Sequence, residues 1–191
     1  MKTIQNIIQQ NIQGKKVLLL FLLTNIVYAA MLLVTIPRVM DFASGMNLLD
    51  MMPMGYDFEY IDSLFHTLGP KGRNAYLYTQ IPLDMIYPFL FGISYCLVLG
   101  YCLKKLNRLK SPFVYLCLLP LIAGMADYFE NFGILALLSD YPEISYSTVT
   151  ITSSFTLLKS ICTTLYFIIL IGFLALLLIK ASRKRKSTEL H

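Results

Sequence analysis

Two carboxylates and one amide occur together inside a stretch that is otherwise apolar enough to cross a membrane. Asp127, Glu130 and Asn131 stand at positions i, i+3 and i+4, so they share one face of a helix. Paired carboxylates can act as general acid and base, or they can bind protons and cations. Charged groups are costly to bury in an apolar interior, so these side chains need partners. The stretch therefore predicts a polar site inside the protein.

Two further charges, Asp84 and Lys159, lie in other apolar stretches. Charged groups within membrane segments usually face the protein interior and pair with one another. Lys159 is therefore expected to pair with Asp127 or Glu130. Asp84 is expected to pair with Arg73 or to share a proton with a neighbouring group. Because three acids then stand near one base, either one carboxyl group is protonated or a cation occupies the site.

The composition indicates a protein that is solvated by lipid. The 191 residues are 57% hydrophobic and 14% charged, with a mean hydropathy of +0.63, whereas soluble domains carry about 25% charged residues. A helix needs about 20 mostly apolar residues to cross a bilayer. Four segments are long enough: residues 17–36, 81–103, 112–138 and 151–179. The sequence predicts an all-α membrane protein, a bundle of four transmembrane helices that forms a single domain over residues 1–191.

The basic residues predict the orientation of these helices. Most of the 16 Lys and Arg residues fall in the N-terminal residues 1–16, in the connection between the second and third helices, and in the C-terminal tail of residues 180–191. Positive charge marks the cytoplasmic side, so both termini are expected in the cytoplasm. The same placement accounts for the net charge of +5 better than a nucleic-acid partner does, and we expect no nucleic acid as a partner. The apolar run of residues 17–36 is longer than the core of a signal peptide, which favours a retained helix.

Both cytoplasmic ends are predicted to lie at the membrane surface. Ile4, Ile7, Ile8 and Ile12 share one helical face, which is typical of an interfacial amphipathic helix; a frayed terminus is the alternative interpretation. At the other end of the chain, residues 183–186 form a basic patch. A patch of this kind is expected to lie beside anionic lipid headgroups.

The segment between the first two helices, residues 37–80, is too long to be a simple connection. Residues 57–68 place apolar side chains at helical spacing, and Gly69–Pro70 is a strong stop signal. We expect an amphipathic helix that lies over the outer mouth of the bundle as an extracytoplasmic cap. Pro82 and Pro88 are expected to kink the second transmembrane helix and to free backbone carbonyl groups.

The rise of a helix, about 1.5 Å per residue, converts sequence position into depth within the bilayer. Counted from the cytoplasmic end of each helix, Asp127 lies about 22 Å up, Glu130 about 27 Å, Asp84 about 28 Å and Lys159 about 30 Å. All four charges are thus predicted in the outer third of the membrane, on three different helices. Their shared depth predicts a polar pocket near the outer leaflet. Its predicted ligand-binding residues are Arg73, Tyr76, Asp84, Tyr87, Asp127, Glu130, Asn131 and Lys159.

The remaining reactive side chains do not extend this site. None of the four cysteines belongs to a C-x-x-C pair, which argues against a thiol oxidoreductase. His66 and His191 both lie outside the apolar segments, which argues against haem or zinc within the membrane. We expect no metal and no cofactor. The predicted partners are the lipid bilayer and a small amphipathic or lipid-like ligand, and the formation of a homo-oligomer is left open.

A series of short motifs extends over about residues 37–138. In order, they are Gly55-Tyr56-Asp57, Leu68-Gly69, Gly72-Arg73, Tyr76-Leu77, Asp84, Tyr87-Pro88 and Asp127-x-x-Glu130-Asn131. This series resembles a set of small microbial four-helix membrane proteins, a resemblance that implies a polytopic fold and no particular activity. The layout is also similar to that of the emopamil-binding and sigma-2-receptor superfamily, which has acidic residues in a ligand pocket. No motif of that superfamily transfers residue by residue, because its first helices carry acids and residues 17–36 carry none.

Two functions follow from these patterns. The leading one is the binding of a small amphipathic or lipid-like molecule from the outer leaflet, with processing or transfer as an extension; whether the protein is an enzyme stays open. The alternative is a structural or accessory membrane subunit whose buried charges only lock the helix bundle. The substitutions Asp127→Asn and Glu130→Gln separate the two, because a folded but inactive variant supports the first and misassembly supports the second.

Overall fold

The computed structural model describes residues 2–189, with the side chains of residues 5–183. Within this part of the chain every regular element is a helix. The principal helices are α1 Lys2–Asn11, α2 Gly14–Met40, α3 Phe58–Ala75, α4 Tyr87–Lys105, α5 Leu119–Asp140 and α6 Tyr146–Glu189. The side chains of Ile4, of residues 184–186 in the basic tail and of His191, for which the sequence makes predictions, lie outside the described residues.

Four helical stretches of the described chain are long and apolar enough to cross a membrane. They are Gly14–Met40, Phe58–Lys105, Phe113–Asp140 and Tyr146–Arg183, and each overlaps one of the four predicted segments. Their outer surfaces carry exposed apolar side chains; Leu33, for example, is 76% exposed. Lipid solvates such a surface better than water does. The prediction of an all-α chain with four helices able to span a membrane is confirmed.

α3 covers residues 58–68 of the predicted amphipathic segment 57–68 and extends beyond it. Its first turn is capped by the Asp57 carboxylate, which accepts a hydrogen bond from the Tyr60 amide at 2.8 Å. At the predicted stop the structure has a kink rather than an end: Gly69 adopts a φ of 60° and the helix resumes at once. Pro70 is tolerated there because the first turn of a helix needs no amide donor.

Two π-helical turns precede prolines that interrupt the helical hydrogen bonds. One covers Met31–Thr35 in α2, two residues before Pro37, and the other covers Tyr76–Gln80, two residues before Pro82. Proline has no amide hydrogen, so carbonyl groups upstream of it lose their usual donor and the helix widens. Residues 76–86, which connect α3 to α4, are called the junction below.

The long helices pack in a row in which α2 contacts α4, α4 contacts α5 and α5 contacts α6. Glycine allows two of these pairs to approach closely. A Cβ atom at Gly124 would lie 2.7 Å from the carbonyl oxygen of Pro88, and one at Gly133 would overlap Thr152 Oγ1. Because a larger residue would clash at either place, the two glycines set the separation of α5 from α4 and from α6.

α1 packs on α4 rather than presenting its whole apolar face to a membrane surface. Ile8 and Ile12 are buried, and Ile8 lies over Gly100 of α4. Ile7, predicted to share that face, is 56% exposed. The helix predicted at the N terminus is therefore present, and its apolar side chains are divided between α4 and the surroundings.

Candidate functional site

Lys159 joins the two carboxylates that the sequence predicts as its partners. Its ammonium nitrogen lies 3.1 Å from Asp127 Oδ1 and forms a second ion pair with Glu130. Glu130 is fully buried and also accepts a hydrogen bond from the Thr156 hydroxyl at 2.8 Å. The predicted pairing is therefore present with both acids at once. When all three groups are ionised, one negative charge is left over.

The packing of α5 on α6 explains why these groups meet. The two helices run antiparallel. A position three or four residues earlier in α5 therefore faces a position three or four residues later in α6. The facing pairs are Gly133 with Thr152, Glu130 with Thr156, and Asp127 with Lys159. Helical spacing sets the heights of the charged groups, and the small size of Gly133 brings the helices close enough for direct ion pairs.

Asn131, the third polar residue of this α5 face, bonds the backbone of the junction. Its side-chain amide donates to the carbonyl oxygen of Asp84 at 3.1 Å. In a regular helix that carbonyl would accept from the amide four residues later, but Pro88 occupies that position. Asn131 therefore supplies the donor that Pro88 lacks, and it ties α5 to the start of α4. This contact confirms the prediction that Pro88 frees a backbone carbonyl group.

Asp84 is the acid that remains once Lys159 is paired. The residue is 3% exposed, and its carboxylate lies within electrostatic reach of Asp127, Asp50 and Lys159. Asn131 bonds its backbone only, and no hydrogen bond from the described residues reaches its carboxylate. Burying a carboxylate without a donor is unfavourable, so Asp84 is held in place by the fold rather than by a partner of its own.

The predicted pairing of Asp84 with Arg73 is wrong. The guanidinium of Arg73 donates to the carbonyl oxygen of Phe65 at 2.7 Å and stacks over the ring of Tyr141 at 4.5 Å. These contacts bridge the kink of α3 and join it to the loop after α5. The kink at Gly69 sets the direction of Arg73, and counting residues along a straight helix does not reveal it.

A fourth acid, Asp50, enters the region from the loop before α3. The hydroxyl of Tyr76 donates to Asp50 Oδ1 at 2.6 Å, and the side-chain amide of Gln80 donates to Asp50 Oδ2 at 2.7 Å. Thr35 of α2 donates in turn to Gln80. Sequence reasoning missed Asp50, although a signal exists, because it is the lone charge within the methionine-rich residues 46–54. Tyr76, predicted as a ligand-binding residue, holds Asp50 through this hydrogen bond.

Tyr56 contacts α6 at Ser153 and Thr156, next to the ion pairs. Its hydroxyl oxygen lies 3.4 Å from that of Thr156, and its backbone amide donates to Ser153 Oγ at 2.9 Å. Burial, followed by the nearby negative charge of Glu130, raises the pKa of Tyr56 above its ordinary value. The hydroxyl therefore stays protonated next to the Thr156 hydroxyl, which donates to Glu130.

A cavity of about 420 Å³ lies beside the ion pairs, between α2 and α6. Its lining is apolar and aromatic on the side of α2, where it consists of Tyr28, Met31, Leu32 and Ile36. On the side of α6 it consists of Lys159, Ser160, Thr163 and Thr164. Asp50, Asp84 and Asp127 complete its charged part. The cavity thus places charged groups next to a surface suited to a hydrocarbon.

The cavity contains half of the predicted ligand-binding residues. Those that line it are Asp84, Tyr87, Asp127 and Lys159. The other four do not line it. Glu130 and Asn131 belong to α5; Glu130 pairs with Lys159, and Asn131 bonds the junction. Arg73 bonds Phe65 within α3, and Tyr76 bonds Asp50. Four of the residues predicted from the sequence thus lie at the cavity, and the other four bond its lining residues or the elements next to it.

Separate parts of the chain build this site: α2, the loop before α3, the junction, α4, α5 and α6. In the part of the chain that the structure describes, no group of three or more His, Cys, Asp or Glu side chains is placed to hold a metal ion. No protein-family model and no curated protein matches the sequence, and no solved structure matches the chain.

Proposed function

We propose that the protein binds a small amphipathic or lipid-like molecule in the cavity between α2 and α6. The observation that carries this proposal is the lining, in which Asp84, Asp127 and Lys159 stand beside apolar side chains of α2. A ligand with one polar end and one apolar part satisfies both surfaces at once. The volume of about 420 Å³ falls within the usual range for small-molecule sites, about 300–1,000 Å³. Processing or transfer of the molecule would build on this binding step.

In this proposal both termini lie in the cytoplasm and the cavity lies toward the outer leaflet. The distribution of Lys and Arg along the sequence supports the orientation. α3 then stands on the extracytoplasmic side of the bundle. The residues that reach the cavity from that side are Asp50, Met51 and Pro53 of the preceding loop, and none comes from α3. We therefore assign the covering of the cavity to this loop.

The helix packing supports entry of the ligand from the lipid. α2 packs mainly on α4, whereas α6 packs mainly on α5, so the two helices that flank the cavity are not each other's main partners. Leu32 of α2 and Thr164 of α6 both line the cavity and are both exposed. A molecule dissolved in the bilayer can reach the charged wall between these helices.

A second candidate function is that of a structural or accessory membrane subunit. The ion pairs of Lys159 with Asp127 and Glu130 favour it, because they join α6 to α5 without a ligand. Asp84 distinguishes the two candidates. Its carboxylate joins no helices, yet it is buried at the cavity. A network that only locks helices has no use for this group, whereas a ligand with a hydrogen-bond donor does.

Native mass spectrometry of the purified protein tests the proposal. We expect a small molecule to remain bound through detergent exchange, and we expect folded Asp84→Asn protein to lose it. Glu59→Gln, which removes an exposed carboxylate, is the matched control and should retain the molecule. Size-exclusion chromatography checks that each variant is folded. Absence of any bound molecule from the wild-type protein, or its full retention by folded Asp84→Asn protein, would favour the structural role.

A further inference from the structure

We infer that the ligand carries a positively charged organic amine, whose ammonium group binds the carboxylate of Asp84. This inference rests on the proposed function, since it names the chemical class of ligand for the same cavity. Three features of the molecule support it: the charge of the cavity, the hydrogen bonds around Asp84, and the kind of side chain that surrounds this residue.

The cavity has an excess of negative charge. Three carboxylates line it, those of Asp50, Asp84 and Asp127, and Lys159 provides the one ammonium group among its lining residues. Lys159 is already shared between Asp127 and the buried Glu130. Like charges repel more strongly in a medium of low dielectric constant than in water. A cationic ligand therefore relieves repulsion in this cavity, and an anionic ligand increases it.

The carboxylate of Asp84 lacks the donors that a buried acid needs. Two amide side chains of this region are engaged elsewhere, since Asn131 bonds the Asp84 backbone carbonyl and Gln80 bonds Asp50. Among the described residues none donates to this carboxylate, although Asp84 is only 3% exposed. An ammonium group supplies both the missing positive charge and the missing donors, in a charge-assisted hydrogen bond.

The surroundings of Asp84 suit the remainder of an organic amine. Tyr87 stacks on Tyr28 with ring centroids 5.3 Å apart, and both line the cavity together with Phe91. Aromatic faces attract organic cations, and the apolar side chains of α2 can pack on a hydrocarbon. A metal ion instead requires several ligand atoms at about 2.0–2.6 Å, and the described acids, histidines and cysteines form no such group.

The same ammonium chemistry occurs on free hydrophobic amines and on the headgroups of aminophospholipids. An aminophospholipid would also bring a phosphate group into a cavity that already has excess negative charge. The charge balance around Asp84 therefore favours a free amine, and the experiment below separates the two sources.

Isothermal titration calorimetry with 4-phenylbutylamine tests the inference on the full chain in phosphatidylcholine nanodiscs. The neutral control ligand is 4-phenylbutan-1-ol, which has the same carbon skeleton, and empty nanodiscs report partition into the lipid. We expect the amine to bind at least about tenfold more tightly than the alcohol, the ratio expected from one charge-assisted hydrogen bond. Asp84→Asn should weaken amine binding by a similar factor, and Glu59→Gln should leave it unchanged.

Equal affinity of the wild-type protein for the amine and the alcohol would overturn the inference and leave the binding site standing. Unchanged amine binding by folded Asp84→Asn protein would overturn it as well. Should that variant fail to fold, the comparison of amine with alcohol in the wild-type protein still decides. If neither compound binds and no molecule co-purifies, the proposed function is lost together with the inference.

A second arm of the experiment identifies the source of the ammonium group. Nanodiscs that contain phosphatidylethanolamine present the aminophospholipid headgroup at high local concentration. If the lipid lowers the apparent affinity for the amine, the headgroup occupies the site and the choice of a free amine is wrong. If the affinity is unchanged, the site is selective for the free amine, as the charge of the cavity predicts.

Discussion

The substitution Lys159→Met should destabilise the protein more than the substitution Glu130→Gln, which removes the buried partner of Lys159. The substitution leaves Asp127 and Glu130 without a cation. The side chain of Asp127 keeps 8% exposure at the cavity, whereas Glu130 has none and retains only the hydrogen bond from Thr156. Removing one partner of a buried ion pair costs about 3–5 kcal/mol. We expect a loss of about this size in the free energy of unfolding, mostly from the stranded charge of Glu130.

Glu130→Gln should cost less, because it removes a charge without leaving another one unpaired. The glutamine retains an oxygen that can accept from Thr156, and Lys159 retains its ion pair with Asp127. The expected cost is about 1–2 kcal/mol. In the double variant Lys159→Met/Glu130→Gln the fully buried charge is gone. It should therefore be more stable than Lys159→Met alone, because a coupling energy of up to about 3 kcal/mol exceeds the separate cost of Glu130→Gln.

Reversible unfolding in mixed micelles, with sodium dodecyl sulfate as denaturant and circular dichroism as the signal, measures these differences. Lys104→Met removes an exposed lysine at the end of α4 and serves as the control, with an expected change within about 0.5 kcal/mol. A double variant that is less stable than Lys159→Met would refute the reasoning. In that case the carboxylate of Glu130 would stabilise the bundle even without its cation.

Three further predictions concern the contacts that position the site. Asn131→Leu should lower the unfolding free energy by about 1–3 kcal/mol, measured in the same assay, because it leaves the Asp84 carbonyl without a donor; an unchanged stability would show that the junction does not need this bond. Gly133→Ala should cost about 1–3 kcal/mol, since its Cβ would meet Thr152, and adding Thr152→Ala should restore part of the loss; equal cost with and without that second change would contradict the close approach. Asp50→Leu should speed hydrogen exchange in the loop before α3 and leave α5 and α6 protected, because it frees the loop from the junction; uniform exchange changes would instead indicate global destabilisation.

The heights of the buried charges could be predicted because helical rise is a local property. Counting residues placed Asp127, Glu130 and Lys159 at similar depth, and the structure brings all three into contact. The directions of side chains near kinks could not be predicted in the same way. Arg73 follows the bend at Gly69 and bonds Phe65, so it never meets Asp84. The bend depends on how α3 packs, which lies beyond a local pattern.

The four long apolar helices and the acidic face of α5 can be predicted from the amino-acid sequence, because hydrophobic length and helical spacing depend only on neighbouring residues. Tertiary structure alone decided that Asp50 joins the charged wall, since the path of a loop depends on the bonds of Tyr76 and Gln80 far along the chain. It also decided which acid lacks a partner. Lys159 is close enough to both α5 carboxylates to pair with them at the same time. Asp84 is therefore the acid at the cavity that has no partner among the described residues.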